Sequence, residues 1–182
     1  HRDHDGVPGA GHYTNTTGRN DLDTMHVAHD ASHLFFHVRT RESLTLATDA
    51  DWMVLLLDTD QDAKTGHLGY DFRINQARSA PDKAGIERWN GRVWEPTGEA
   101  TMQVGSHELH LAAERTSLGM VPEKPLRFDF KWTDNVPAKA DGMDFLDHGD
   151  AAPNARFSYR YVAIQQQSQK PEVLSPLALP LK

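Results

Sequence analysis

WMVLLLDTDQDAKTGHLGYDFRIN, residues 52–75, decides the fold class of the chain. Residues 52–57 are apolar without alternation, which predicts a strand covered on both faces and therefore central in its sheet. Residues 70–75 alternate Tyr70, Phe72 and Ile74 against Asp71, Arg73 and Asn75, the period-two mark of a second strand. The segment between them carries Asp58, Asp60 and Asp62 at every second position, then Gly66 and Gly69, so a polar connection joins the two.

The same grammar extends in both directions. In HLFFHVRT (33–40), Leu34, Phe36 and Val38 share one face, and His33, Phe35 and His37 share the other. RWNGRVW (88–94) places Asn90-Gly91 between two runs and predicts a two-residue hairpin. Further strands are predicted at ATMQV (100–104), HELHLAA (107–113), LRFDFKW (126–132) and RFSYRYVAI (156–164). ERTSLGM (114–120) reads as one helical turn closed by Gly119. No window supports a long amphipathic helix, so the expectation is an all-β, antiparallel two-sheet β-sandwich with one short helical turn. It occupies residues 1–164, and the polar, proline-spaced stretch 165–182 reads as an extended tail or linker.

Composition narrows the function classes. The 182 residues are 38% hydrophobic and 25% charged, the profile of a folded globular chain, with a net charge of −7. That charge gives no reason to expect nucleic acid or an anionic membrane as partner. No apolar run approaches the ~18 residues needed to span a bilayer as a helix. Cysteine is absent, which removes disulfides, thiolate chemistry and iron–sulfur clusters. The Gly-x-Ser-x-Gly elbow, the P-loop and the zincin helix are missing, and linear spacing identifies no catalytic carboxylate pair. The reading therefore leans away from an enzyme.

The acidic connection admits two readings. Asp58, Asp60 and Asp62 copy positions 1, 3 and 5 of an EF-hand loop, but Ala63 and Gly69 stand where that loop needs glycine and a bidentate glutamate. What survives is the physical logic: alternate carboxylates on a tight loop can converge on a hard cation, with Asp71 returning as a fourth. The other reading is an ordinary polar hairpin. A second acidic run, DGMDFLDHGD (141–150), reads as a solvated loop from which Asp144 and Asp150 are candidates for completing a metal site.

A sugar site needs a flat aromatic surface with polar groups at its rim. The expected hairpin pairs Trp89 with Arg92 and Glu87 with Trp94, which makes Trp89, Trp94, Arg92 and Glu87 a candidate platform; the alternative is that this face is core. Trp132, and Phe157, Tyr159 and Tyr161 on one face of the last strand, read as core, while Trp52 at a strand rim is open to either fate.

Eleven histidines raise the question of a transition metal. His1 and His4 could form a T-shaped copper site of the kind used by polysaccharide monooxygenases if the chain begins with a free amine. His33 and His37 stand about 13 Å apart along a strand, too far to chelate together. His26 could oppose one of them, but a solvated histidine face is expected.

GHYTNTTGRND (11–21), the 52–75 block, Leu109-His110-Leu111-Ala112 before RTSLG, FDFKWTDN (128–135) and GDAAPNARFSYRY (149–161) occur in this order. Together they resemble the family-9-like carbohydrate-binding modules of the DOMON-like β-sandwich group over roughly residues 12–161. The resemblance implies a module of a larger secreted or periplasmic glycan-active protein, a polysaccharide or oligosaccharide partner, possible company of a catalytic domain in the parent chain, and structural calcium. Non-catalytic glycan binding is the function expected. The alternatives are a redox metalloprotein, with copper at His1 or haem held by His and one of Met25, Met53, Met102 and Met143, and a purely structural β-domain.

Overall fold

The structure, a computed structural model, describes residues 4–5, 12–13, 19–121, 124–137, 144–153 and 157–163. The copper reading at His1, Met143 and the tail at 165–182 lie outside them. Two short strands, β1 (His4–Asp5) and β2 (His12–Tyr13), form a ribbon of their own. The body comprises β3 (Leu22–His29), β4 (His33–Thr40), β5 (Val54–Asp58), β6 (Phe72–Ala80), β7 (Lys83–Trp89), β8 (Trp94–Val104), β9 (Glu108–Glu114), β10 (Arg127–Asp134), β11 (Asp150–Ala152) and β12 (Tyr159–Val162). Among the described residues helix is limited to a 3-10 turn at Arg115–Leu118, closed by Gly119 at φ 67°, and to α1 (Asp144–Asp147), where a plain loop was expected.

The chain is all-β and antiparallel, but the pairing does not divide into two sheets. One ladder runs β11-β10-β5-β6-β7-β8-β9-β4-β3, and β12 shares with β11 the same edge of β10. The cause is β8, which changes neighbours along its length. Its first part pairs with β7 as far as Thr101, and Thr101–Val104 pairs with β9, so the strand carries the ladder around the corner. The sheet curls until its ends meet. Phe36 of β4 packs edge-on against Phe128 and Phe130 of β10, at 5.9 and 6.3 Å between ring centres. At the seam the Leu22 N–H donates to the buried Asp150 carboxylate at 2.7 Å, and His29 meets the Tyr161 hydroxyl at 2.6 Å.

The core follows the alternation read from the sequence. Leu34, Phe36 and Val38 point inward, with Leu55, Leu57, Phe72, Ile74, Leu109, Leu111, Phe128 and Trp132. All five residues of β5 are buried, because its other face, Val54 and Leu56, lies under Tyr70, Val136 and Phe145. Fully burying one such side chain is worth about 1.5–3 kcal/mol, so β5 is the anchor of the fold. Trp52 and Trp132 are both core, as are Met53 and Met102, which leaves those two methionines no route to a haem.

The last strand departs from expectation. Phe157 is 73% and Tyr159 41% exposed; only Tyr161 is half-buried, against Phe128. β12 is a strand at the seam, so its aromatic face lies over the rim of the core instead of inside it.

Candidate functional site: an acidic loop leading to an aromatic hairpin

β5 ends at Asp58 and β6 begins after Asp71, so the connection starts and finishes at adjacent points of the ladder. Carboxylate oxygens of Asp58, Asp60 and Asp71 lie within 4.8 Å of one another. The loop backbone aims them. Asp71 Oδ2 accepts from Thr59 N–H at 2.8 Å and Thr59 Oγ1 at 2.9 Å, Asp58 Oδ1 from Gln61 N–H at 2.6 Å, and Asp60 Oδ1 from Asp62 N–H at 2.8 Å. Gln61, at φ 61°, turns the chain between them.

Asp62 does not join this group. Its carboxylate accepts the Lys64 N–H at 3.0 Å, and its carbonyl the Thr65 N–H, so it closes the outer turn of the loop. The every-second-residue spacing fails because the chain bends at Gln61 instead of continuing extended. Asp144 pairs with His148 at 3.1 Å, and the buried Asp150 serves the seam, so neither completes the acidic group.

Burial pushes the Asp58 carboxyl up to about 6, and the nearby charges of Asp71, Asp60 and Asp129 push the same way. Three carboxylates held this close, with an all-oxygen donor set and one oxygen of each oriented by the loop, could hold a hard cation. In that role Asp58, Asp60 and Asp71 would be the protein ligands, and the ion would supply charge neutralisation and a fixed turn.

Beyond the acids the loop folds back. Thr65 Oγ1 bonds Asp60, and His67 and Tyr70 exchange both backbone hydrogen bonds, at 2.8 and 3.0 Å. Gly66 is required there: its φ is +69°, and a Cβ would overlap the Tyr70 carbonyl. This fold-back delivers the His67 ring to the hairpin, 4.8 Å from Trp89 and 5.8 Å from Trp94.

The hairpin itself is displaced by one residue from the expected register. Gly91, at φ 96°, and Arg92 are its central pair, flanked by Asn90 and Val93. The Asn90 side chain fixes this choice by accepting the N–H groups of Arg92 and Val93 at 2.9 and 2.8 Å. Trp89 therefore faces Trp94 directly, with ring centres 5.4 Å apart and planes at 62°. Arg92 sits at the exposed tip instead of beside Trp89, and Glu87 is drawn under the surface. There it forms a two-pronged pair with Arg73, at 2.7 and 3.0 Å, and the Arg73 guanidinium lies 4.9 Å from the Trp94 ring centre.

Two features escaped sequence reasoning. Arg73 stands beside the tryptophan pair where Arg92 was expected; its strand was legible, but not its cross-strand partner. A groove of about 520 Å³ opens beside Asp60 and Asp71 and collects Arg88, Arg115, Lys124 and Arg127, residues scattered along the chain. Comparison with protein-family models, with curated proteins and with solved structures finds no match for this chain.

Proposed function

We propose that the chain is a non-catalytic glycan-binding module, of the family-9-like, DOMON-like kind, whose acidic loop holds calcium and whose aromatic hairpin holds sugar. The reading rests above all on one observation: a single loop carries Asp58, Asp60 and Asp71 at its base and presents His67 to Trp89 and Trp94 at its far side. The half-buried tryptophans offer apolar ring faces, and Arg73 and His67 offer donors for hydroxyls. Calcium would act at a distance by fixing the fold-back that sets His67. A surface of this size implies micromolar to millimolar affinity. The module would work in a secreted or periplasmic glycan-active protein, alone or beside a catalytic domain.

Affinity electrophoresis and calorimetry against a panel of neutral and uronate-bearing polysaccharides test the reading, with and without chelator. Binding that weakens in chelator and in Trp89→Ala and His67→Ala is expected. The uronate arm reports on the basic groove. A folded protein retained by no glycan favours the structural-domain alternative, and binding indifferent to both substitutions removes the hairpin as the site.

A further inference from the structure

On the outer face of the sheet, far along the ladder from the acidic loop, three histidines stand in a row on three neighbouring strands. His26 on β3 pairs in register with His37 on β4, and His37 pairs with His110 on β9. Their rings lie side by side, with centres 5.2 Å apart for the first pair and 4.5 Å for the second. Glu108, two residues before His110 on the same face, reaches both: its Oε2 is 3.2 Å from His37 Nε2 and its Oε1 3.7 Å from His110 Nε2.

We propose that His37, His110 and Glu108 form a binding site for a divalent transition-metal ion of the zinc class. Ligands bound at about 2.0–2.2 Å around a tetrahedral ion stand roughly 3.3–3.5 Å from one another. The separations of 3.2 and 3.7 Å from Glu108 to the two imidazoles bracket that range. One ligand atom from each of the three residues falls within 4.8 Å of the others, so a single ion reaches all three after small rotations of exposed side chains. Imidazole with carboxylate suits zinc, copper or nickel better than calcium, which separates this site chemically from the all-oxygen loop.

His26 gives the second, independent support. Its Nδ1 is 3.0 Å from His37 Nδ1, so one of the two nitrogens carries the hydrogen. If His37 donates from Nδ1, its Nε2 is left with a free lone pair directed at Glu108 and the ion. A ligand histidine held by a hydrogen bond at its other nitrogen is the usual arrangement around bound metal. Without an ion, three neighbouring imidazoles, two of them on one carboxylate, gain little from their proximity. A groove of about 280 Å³, lined by Phe35, Thr101 and Gln103 among others, borders the row, so the remaining coordination positions face open space and accept water or an exogenous ligand. The expectation that His26 could oppose a histidine of the next strand matches the His26–His37 pairing, and His110 joins the row from a strand distant in sequence.

The test is a zinc titration of the full chain in competition with a chromophoric chelator, with Co2+ absorption as a report of geometry. His37→Ala and His110→Ala are each expected to weaken Zn2+ binding about a hundredfold, and His26→Ala, which removes only the outer hydrogen bond, about tenfold. His33→Ala, some 13 Å along β4, leaves it unchanged. Circular dichroism establishes that each variant is folded. Imidazole resonances of the unmodified protein give an answer that no variant can spoil: those of His37 and His110 shift on addition of one equivalent of Zn2+, and that of His33 does not. Zinc affinity equal to wild type in folded His37→Ala and His110→Ala, or no shift at these two rings, overturns the proposal.

Discussion

Asp58 and Asp129 face each other across the β5–β10 ladder, and the protein treats their charges in opposite ways. Arg160 grips Asp129 with two hydrogen bonds, at 2.8 and 2.9 Å, and holds its carboxyl below the usual range. Asp58 receives only the Gln61 N–H among the described residues and is pushed up to about 6, first by burial. One aspartate is neutralised by the chain itself, and the other is left for a proton or a cation.

From this follows a pH dependence. Without metal the folded state holds the Asp58 proton more tightly than the unfolded chain, whose carboxyl has the ordinary value of 3.8. This contribution to stability is complete below about 4 and is lost as pH rises through about 6. Calcium needs the ionised form, so its stabilisation should grow over the same interval and approach ~2.7 kcal/mol at a hundredfold excess over Kd. Melts at pH 5 and 7.5 in chelator and in millimolar calcium measure both, and Asp58→Asn should remove the slope. A midpoint indifferent to calcium at both pH values would sink the cation reading.

The Arg73–Glu87 pair is largely buried, with side-chain exposures of 13% and 10%. Removing one partner leaves the other charge unpaired, so Arg73→Ala should cost about 3–5 kcal/mol. Replacing both, as Arg73→Met with Glu87→Leu, should recover most of that. Urea unfolding decides it; a double variant no better than the single would show that the loss comes from packing on Trp94.

Two glycines with positive φ separate backbone strain from crowding. Gly91→Ala meets nothing within 4 Å, so only its φ of 96° opposes the change, at about 1–2 kcal/mol. Gly66→Ala also collides with the Tyr70 backbone and should cost about 2–3 kcal/mol while displacing His67. If glycan binding survives Gly66→Ala undiminished, His67 is not part of the sugar site.

Lys131 is buried, donates to the Pro153 carbonyl, and has its ammonium pushed down to about 7 by burial. The unfolded chain keeps the ordinary value of 10.5, so between these values the unfolded state binds more protons and stability rises with pH. Urea melts from pH 6 to 10 should show the rise, and Lys131→Met should flatten it. An unchanged slope in the variant would assign the effect to another group.

Local patterning made the strands readable, since burial on one face writes a period of two into Leu34, Phe36 and Val38 and a solid run into residues 54–57. What it could not write was partnership. That the ladder stays unbroken depends on one strand changing neighbours at Thr101, which no local pattern announces. The hairpin register turned on whether Gly91 stood first or second in the turn, a choice made by the Asn90 side chain. In the acidic loop three of the four carboxylates foreseen do gather; the fourth, Asp62, was excluded by a bend at Gln61 invisible in spacing. Asp129, and His110 in the histidine row, belong to pairings between strands distant in sequence.

The way β5 is flanked has a kinetic meaning as well. β6 to β9 follow one another as neighbouring hairpins, so their contacts close short loops. β5 must also find β10, whose residues lie some seventy positions later, as Leu57 does in meeting Phe130. Closing that span is entropically costly before any contact rewards it, so hairpin formation in the β6–β9 meander should precede it. This central apolar strand, buried on both faces in the native protein, is thus among the last to acquire its second neighbour. Until then, during synthesis or after unfolding, the apolar run Val54–Leu57 has an open edge, and this is where a partly folded chain would seek a foreign strand.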